Sequence, residues 1–396
     1  MAVTMTTFDS VLKDDYQGIL RDQINLETSA FFNKVVQTSM NIEGGKRVVK
    51  DAPYGVNGGF AAGTESGALP TPGGNKFAQF ISGIKDLRGV IRFTDKVMKA
   101  SQSSKAAFIS AFDAETNGIK KHAQMSYGRQ AYTDGTGNLT LTGTTNPASL
   151  TINVASCQYL VEGMIIDILD NTGAAVANGT QRRIAAVDRA AKTIKLDGTA
   201  TVATANTGFI TEQGAYNNEL TGMEAVYKQT GTLYGLDKAD YPWLKPFVYA
   251  NAGAMDEQYI IDVINYVEEF YGSKIDLLTA NPAVYSEYYA YNAAIKRAVN
   301  TLKIDGGFTA VSINEIPMVK DKNIGSGKLK INDTTQWKMH TFGDWEWMQD
   351  NGRILNKVAG YAMWEGVLLK YAELICDHPG GQAEISGITT SSTLFA

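Results

Sequence analysis

The sequence predicts an α+β protein that carries an inserted small β-domain. Apolar residues recur at helical spacing in two separate regions, about 104–129 and 256–271. Between them, residues 147–212 form a block of short β-rich runs separated by turns, and helical periodicity is absent there. The chain after this block mixes helical and strand-like patterns. Together these observations indicate an α+β fold with a β-rich insertion.

Length and composition exclude several classes of protein. The chain has 396 residues, which at roughly 150 residues per domain suggests two to three compact units. With 44% hydrophobic and only 19% charged residues, the chain is not disordered throughout. A net charge of −5 argues against a duplex-DNA binder with a strong basic face. No apolar run approaches the roughly 18 residues of a membrane span, and the N-terminus lacks the pattern of a secretory signal.

Cysteine and histidine are too scarce for most site chemistry. Cys157 and Cys376 lie far apart in strand-like apolar contexts, which suits buried free thiols in a reducing compartment. The three histidines are His122, His340 and His378. A metal or proton-transfer site built on several histidines would need most of these three residues, which makes such a site a poor explanation of the sequence. We therefore expect a structural protein with no catalytic residues, no cofactor and no metal site.

The first hundred residues predict a helix followed by a long loop between strand-like arms. The helix runs from Phe8 to Leu20, and the pattern becomes extended after Phe31-Phe32. Residues 52–76 contain seven glycines and three prolines and cannot bury a core. Arg47–Val49 and Leu87–Phe93 read as strands on either side of this tract. Such a long connection indicates a functional loop; a disordered linker is the alternative, but it would not need two arms.

The middle of the chain predicts one long helix and then the inserted domain. Ser103 or Ser104 can cap the helix, which continues to about Arg129. A Gly/Thr-rich loop from Tyr132 to Asn146 follows. The runs SLTINV, GMIIDILD, RRIAAVD and KTIKLD within 147–212 are then predicted strands. Their close spacing predicts a small barrel or sandwich.

The last part of the chain predicts two capped helices among strands. Asp256 caps the first helix, and Asn281 with Pro282 begins the second. Strands are predicted at Ile275–Ala280, Phe308–Ile313, Pro317–Val319, Lys328–Ile331, Trp337–Phe342, Tyr361–Leu369 and Ala372–Cys376.

Two short motifs resemble chemical signatures but have the wrong context. The run Ile324–Leu329 contains Gly-Ser-Gly-Lys, yet Lys322 stands where a phosphate loop needs its first glycine, so we interpret the run as a hairpin turn. Cys376-Asp377-His378 combines a nucleophile and a base type. However, the strand ends at Pro379-Gly380-Gly381 and no glycine-elbow motif is present. A buried thiol beside a surface histidine is the simpler interpretation.

The distribution of charge and tyrosine points to contacts between molecules. Residues 1–145 carry 16 basic and 13 acidic side chains, whereas residues 213–396 carry 15 and 22. Surfaces of opposite charge can meet different partners, or each other in neighbouring subunits. Three basic side chains of the long helix can contact a polyanion or form a solvated face: Lys120, Lys121 and Arg129. Four tyrosines occupy more than one face of a helix, so a core explains only some of them: Tyr285, Tyr288, Tyr289 and Tyr291.

The order of these elements resembles a known family. Leu87–Phe93 followed by Lys99-Ala100-Ser101 resembles the return strand of an extended loop that enters a spine helix. Leu278–Tyr285 is similar to the strand-to-helix step of an axial domain. Four C-terminal motifs resemble the closing sheet of that domain: Phe342–Trp345, Gly360–Ala362, Ala372–Leu374 and Pro379–Ala383. In this order and spacing they resemble the tailed-bacteriophage major capsid proteins of the Hong Kong 97 fold, over nearly the whole chain.

The resemblance implies a division of the chain into named segments. They are an N-terminal arm (1–44), an extended loop or E-loop (45–98), a spine helix with the first part of a peripheral domain (99–146), the inserted β-domain (147–212), a return through the peripheral domain (213–255), an axial domain (256–378) and a C-terminal segment (379–396). The insertion is not part of the minimal fold, and no scaffold-like coiled segment is expected before the arm.

The resemblance also implies an assembly function rather than an enzymatic one. Many copies would form hexamers and pentamers that tile an icosahedral shell, first as a procapsid that matures, around phage genomic DNA. The implied partners are the chain itself, a portal protein, scaffolding and decoration proteins, and double-stranded DNA through weak non-specific contacts. No membrane partner is implied. The implied location is the virion capsid, assembled in the host cytoplasm.

Three other interpretations remain open from the sequence. An encapsulin-type nanocompartment has the same fold but encloses cargo enzymes. A β-rich glycan-binding surface protein fits residues 130–215 but not the long helices. A hydrolase would need Cys376 or His378 for activity.

Overall fold

The computed structural model describes residues 29–37, 40–41, 46–96, 105–143, 146–204, 207–295, 301–304, 308–349 and 354–391. The helices are α1 (Ala30–Gln37), α2 (Lys105–Gln130), α3 (Met223–Tyr227), α4 (Glu257–Tyr271) and α5 (Pro282–Ile295). The strands are β1 (Met40–Asn41), β2 (Arg47–Gly55), β3 (Lys76–Gly83), β4 (Lys85–Thr94), β5 (Asn138–Leu141), β6 (Asn146–Ser149), β7 (Thr151–Asn153), β8 (Ile165–Ile168), β9 (Arg182–Asp188), β10 (Thr193–Leu196), β11 (Val202–Thr204), β12 (Phe209–Glu212), β13 (Thr232–Leu233), β14 (Leu236–Asp237), β15 (Phe247–Tyr249), β16 (Leu277–Ala280), β17 (Thr301–Ile304), β18 (Phe308–Ile313), β19 (Ile316–Lys320), β20 (Leu329–Asn332), β21 (Trp337–Thr341), β22 (Glu346–Trp347), β23 (Asn356–Lys357), β24 (Met363–Cys376) and β25 (Ala383–Ile385).

The N-terminal segment contains a helix where the sequence predicts extended chain. The predicted helix from Phe8 to Leu20 lies outside the described residues. The extended interpretation after Phe31-Phe32 is wrong up to Gln37, because α1 spans Ala30–Gln37, and it is confirmed at Arg47–Val49, which lies in β2. Phe31 is fully buried between the rings of Tyr132 and Trp337, with centroid distances of 5.5 and 5.4 Å. Tertiary packing of this aromatic residue therefore fixes a short helix that local pattern does not reveal.

The glycine-rich tract lies at the end of a β-hairpin. β2 and β3 pair antiparallel from Arg47 opposite Gly83 to Gly55 opposite Lys76. The second arm predicted at Leu87–Phe93 is therefore not the partner of β2. That run belongs to β4, which pairs with β24 along ten residue pairs. We call β2 and β3 the hairpin, and residues 56–75 between them the tip.

The long-strand sheet is built around β24. Its order is β1-β21-β24-β22, and β4 and β23 also pair with β24. The sequence predicts two runs here, but β24 continues unbroken through Lys370. The aliphatic stem of Lys370 is buried, and its ammonium group lies 3.0 Å from Asp344 and over the ring of Tyr127. A buried polar residue with a charged partner thus interrupts the apolar pattern without ending the strand.

Helix α2 lies against this sheet at a glycine. A Cβ atom on Gly89 of β4 would lie 2.9 Å from Cγ1 of Ile119 on α2. Only glycine therefore lets the helix approach the strand this closely. The predicted extent of α2 is confirmed from Lys105 onwards, whereas the predicted caps Ser103 and Ser104 lie outside the described residues.

The inserted block is a closed barrel. Its strand order is β5-β12-β8-β9-β10-β7, and an antiparallel bridge between Thr142 and Val154 joins the last strand to the first. Its interior is filled with aliphatic side chains, among them Ile152, Ile166 and Ile194. The predicted loop from Tyr132 to Asn146 is wrong in part, since β5 lies within it and pairs with β12. The pairing partner is about 70 residues away, so no local signal reveals this strand.

From the barrel we expect two deletion variants of this region to differ in unfolding stability. Gly137 lies against the backbone of Ala215, so a short Gly/Ser linker can replace residues 138–212 and leave the rest folded. Excision of residues 147–212 alone would remove β12, the pairing partner of β5, and expose the buried side chain of Leu139. We expect the second variant to be less stable by about 2 kcal/mol in urea unfolding. Equal stabilities would show that β5 does not depend on the barrel, and an unfolded remainder in both would show that the barrel is not an autonomous unit.

The C-terminal sheet carries the two capped helices. Its order is β15-β25-β20-β16-β19-β18-β17. The predicted cap of α4 is confirmed, because the carboxylate of Asp256 accepts a hydrogen bond from the Gln258 amide at 3.0 Å. The predicted start of α5 is confirmed as well, since Asn281 accepts from the Ala283 amide at 3.0 Å and Pro282 follows it. These helices cover the aliphatic core of the sheet.

Candidate functional site

The tip presents apolar side chains to solvent. Val56 is 88% exposed, and Phe60 and Leu69 are each 93% exposed. A turn is closed within the tip by a hydrogen bond from the Gly67 amide to the Thr64 carbonyl. Large apolar residues grouped on one projecting segment indicate a surface that another molecule covers.

The hairpin that carries the tip is firmly anchored on its own subunit. Phe80 is buried and its ring stacks on Trp243 with centroids 5.9 Å apart. The Ile81 amide donates to the Tyr234 carbonyl at 2.8 Å. Lys50 on β2 forms an ion pair of 2.7 Å with Asp377. The base of the hairpin is therefore fixed, and the tip is the part that is available for contacts.

A second set of contacts holds α1 against distant parts of the chain, at Tyr132, Asp276 and Asp321. Lys34 of α1 forms an ion pair of 2.8 Å with Asp276. The Tyr132 hydroxyl, just after α2, donates to Asp321 at 2.6 Å and also contacts the Ser29 hydroxyl. Burial raises the pKa of Asp321, although these hydroxyl groups oppose the shift. The start of α1 is thus held in place by contacts with three distant parts of the chain.

A buried ionic cluster joins the barrel to α2. The guanidinium group of Arg129 donates to both carboxylate oxygens of Glu219 and lies 3.5 Å from Glu212 of β12. Ser126 donates to Glu212 at 2.9 Å, and the barrel residue Tyr159 lies under the guanidinium group. Burial opposes the charge of Arg129, but the two carboxylates raise its pKa. Burial also opposes the charge of Glu212, but its neighbours His122 and Arg129 lower its pKa to about 2.

The structure assigns Arg129 a different place from the one the sequence suggests. Of the three basic residues grouped on the long helix, Lys120 is exposed, but Arg129 is almost fully buried. It therefore cannot contact a polyanion. The tyrosine prediction is confirmed where side chains are described, because Tyr288 is fully buried and Tyr289 is half exposed on the same helix.

The two short motifs do not form sites. Cys376 is fully buried, and burial raises the pKa of its thiol well above the ordinary value. The carboxylate of Asp377 forms ion pairs with Lys50 and Lys338. Nδ1 of His378 lies 3.1 Å from the Ser273 hydroxyl oxygen. The segment Ile324–Leu329 is not a hairpin turn, because β19 and β20 pair with opposite edges of β16 rather than with each other.

Glu373 is a buried carboxyl at the base of the hairpin. It lies on β24 and accepts a hydrogen bond from the Thr221 amide at 3.0 Å, while its other oxygen is buried without a hydrogen-bond partner. Burial raises its pKa to about 7, although the bond from Thr221 opposes the shift. Among charged neighbours, Lys85 also acts against the shift, and His340 is its cross-strand partner.

This carboxyl predicts a specific pH dependence of stability. Because the folded pKa is raised, the folded state is favoured at low pH and loses stability as pH rises through about 7. Glu373→Gln cannot ionise, so its stability relative to the parent should increase by about 3 kcal/mol between pH 4 and pH 8. Urea unfolding at several pH values measures this change. Glu365→Gln, in an exposed ion pair on the same strand, is the control, and an equal pH dependence in both variants contradicts the prediction.

The described residues contain neither a metal-binding cluster nor a membrane-spanning helix. No group of three or more His, Cys, Asp or Glu side chains that could hold a metal ion occurs among them. Within the same residues, no helix has both the length and the apolar character needed to cross a membrane.

Comparison with known proteins gives similarity at the level of structure. No family model and no curated protein sequence matches the chain. The capsid asymmetric unit of cyanophage A-1(L) is similar with a TM-score of 0.60 and 12% identity, covering 98% of this chain and 100% of that one. The capsid of a native GTA particle is similar with a TM-score of 0.51 and 9% identity, covering 96% of each chain. The holo-SrpI encapsulin complex from Synechococcus elongatus PCC 7942 gives a TM-score of 0.49 at 6% identity, covering 99% and 98%.

The similarity covers the chain from end to end and so defines the fold. The predicted α+β fold class is confirmed, and so is the predicted resemblance to a capsid protein. The chain has the tailed-phage major capsid protein fold of Hong Kong 97 type.

Proposed function

We propose that this chain is the major capsid protein of a tailed bacteriophage. Many copies assemble into hexamers and pentamers, and these form an icosahedral shell around phage genomic DNA. The observation that carries this proposal is the tip, which exposes Phe60 and Leu69 on an anchored hairpin in a capsid fold. Apolar residues presented in this way find cover in a neighbouring copy. The chain acts as a structural protein and carries out no catalysis.

Ring formation follows from the asymmetry of the contacts. The tip of one copy meets a different surface on the next, which is a heterologous contact, and such contacts close into rings when the rotation permits. Within the N-terminal arm (1–44), α1 packs on its own chain, and the part before α1 reaches a neighbour. The E-loop (45–98) supplies the tip, and the axial domain (256–378) lies towards the centre of each ring. The barrel lies on the outer surface of the shell.

The proposed partners follow from the same assembly. A portal protein occupies one vertex, scaffolding protein guides procapsid assembly, and decoration protein binds the mature shell. Contact with packaged double-stranded DNA is weak and non-specific, because a net charge of −5 leaves few clustered cations for phosphates. The capsid of the virion is the proposed location, reached after assembly in the host cytoplasm.

Electron microscopy of the purified chain tests the proposal. Negative staining should show shells, tubes or ring-shaped capsomers. A chain that stays monomeric at all concentrations contradicts the proposal. Nuclease-protected double-stranded DNA in particles from infected cells supports the phage function, whereas a co-purified cargo enzyme in place of DNA would assign the chain to the encapsulin alternative.

A further inference from the structure

A cleft lined by aromatic residues lies beside the hairpin. Its volume is about 700 Å³, and it is bounded by β2 on one side and by the end of α4 on the other. Six of the lining residues are Pro53, Tyr54, Phe80, Trp243, Tyr271 and His378. Tyr54 and Trp243 are stacked, with centroids 5.5 Å apart and planes 11° apart. Because Trp243 stacks on Phe80 as well, the ring surface left for an apolar ligand is that of the half-exposed Tyr54 and of Tyr271.

The cleft also borders a strand with an open edge. Among the described strands, β2 pairs with β3 alone. Residues 50–54 of β2 line the cleft. A strand edge leaves backbone amide and carbonyl groups for another extended segment. The combination of ring surfaces and an open edge is suited to an extended peptide with apolar side chains.

The tip contains such a peptide. Leu69-Pro70-Thr71-Pro72 is exposed, and each proline restricts both itself and the residue before it to extended conformations. The segment therefore favours polyproline II geometry, with three residues per turn. Leu69 and Pro72 then share one face. Because the segment is already restricted, binding costs little conformational entropy.

The tip does not reach the cleft of its own subunit. Leu69 is 93% exposed, although the hairpin that carries it runs directly beside the cleft. Two glycines keep the two sides of the tip together, because a Cβ on Gly73 would lie 2.6 Å from the Gly58 amide nitrogen. The two sides of the tip therefore lie close together, and Leu69 stays exposed to solvent in its own chain.

We infer that the aromatic cleft of each copy receives the Leu69–Pro72 segment from the tip of a second copy. This inference rests on the proposed function and adds the place where the tip binds. Other exposed apolar residues near the hairpin are Val49 and Phe77 on its own strands, and Val90 and Phe342 on the outer face of the long-strand sheet. Among the described residues these surfaces offer fewer rings: Phe77 is the one ring of a second cleft beside the hairpin, and Phe342 pairs with Tyr371. The cleft offers several rings around a concave site, which favours proline binding.

Cysteine substitution tests the inferred contact directly. Leu69→Cys and Pro53→Cys are made in separate chains, which are mixed, assembled into shells and oxidised with a mild diazene such as diamide. The oxidant takes up the two protons and two electrons as the disulfide forms. The natural thiols Cys157 and Cys376 are both buried and do not compete. We expect a band at twice the subunit mass on a non-reducing gel, which needs Cβ atoms about 4 Å apart.

The matched control pairs Leu69→Cys with Val90→Cys on the outer sheet face. A dimer in the first mixture and none in the second supports the inference. A dimer only with Val90→Cys, or in neither mixture, overturns it while shells seen by microscopy still support the proposed function. Absence of shells from the parent chain would instead overturn the proposed function itself.

A second measurement avoids engineered cysteines. Pro70→Ala with Pro72→Ala removes the restriction on the segment but leaves the subunit core untouched. The subunit concentration at which half the protein is in shells should rise about fivefold or more. Tyr54→Ala, which removes a half-exposed ring of the cleft, should raise it similarly. An unchanged concentration in both variants overturns the inference.

Discussion

Removal of the tip is expected to abolish shell formation while the subunit keeps its fold. Gly55 and Lys76 are opposite each other in the hairpin, so a two-residue Asn-Gly turn can replace residues 56–75. The deleted segment buries almost no apolar surface in its own subunit, because its large side chains are exposed. The unfolding free energy should therefore change by no more than about 0.5 kcal/mol.

The effect on assembly should be far larger than the effect on folding. Burial of each large apolar side chain of the tip contributes about 1.5–3 kcal/mol. Loss of Phe60 and Leu69 together should weaken each contact about 100-fold or more. Electron microscopy and sedimentation of the same sample, beside a urea unfolding curve, measure both quantities.

A matched pair of variants separates loss of apolar contact from loss of length. Phe60→Ser with Leu69→Ser should abolish most shell yield. Ala61→Ser with Ala62→Ser, in the same exposed segment, should assemble like the parent. Normal shells from the deletion would remove the tip from the assembly mechanism.

Elements defined by local chemistry could be predicted from the sequence. Both helices of the C-terminal sheet begin where Asp256 and Asn281 supply side-chain caps. The barrel strands alternate between buried and exposed residues, as in the run Thr193–Leu196. Caps and alternation act over a few residues and are therefore visible in sequence.

Strand partners and buried charges could not be predicted, because they depend on distant residues. The sequence predicts a strand at Leu87–Phe93, but only the fold pairs it with β24 rather than with β2. The tip likewise reads as glycine-rich, but its exposure depends on where the hairpin is anchored. Arg129 reads as a solvated residue because its partners, Glu212 and Glu219, are more than 80 positions away.

Loss of the Arg129 side chain should destabilise the subunit strongly. Arg129→Met leaves Glu219 buried without its cation, and leaves Glu212 with His122 as its cationic neighbour. Removal of one partner from a buried ionic group typically costs about 3–5 kcal/mol. We expect a loss of this size at pH 8, measured by urea unfolding of the unassembled subunit. Lys120→Met removes an exposed charge from the same helix and should change stability by no more than about 0.5 kcal/mol.

The pH dependence of this loss follows from the carboxylates. Without Arg129, burial and mutual repulsion raise the pKa of both carboxyl groups in the folded state, although His122 opposes this shift for Glu212. Their folded pKa values then exceed the unfolded ones, so the variant is most stable at low pH and loses stability as pH rises. The loss of unfolding free energy in Arg129→Met, relative to the parent, should therefore be small at pH 4 and reach its full size at pH 8.

Neutralising one carboxyl should return part of the lost stability. Arg129→Met combined with Glu219→Gln leaves one buried charge in place of two, and Glu212 retains the hydrogen bond from Ser126. We expect at least about 1.5 kcal/mol of recovery at pH 8 and almost none at pH 4. A loss in Arg129→Met that is independent of pH, or a double variant no more stable than the single one, would show that Arg129 acts through packing of its stem instead of its charge. Because Glu212 belongs to β12 and Glu219 follows the barrel, recovery in the double variant would also establish that this charge network joins the inserted barrel to α2.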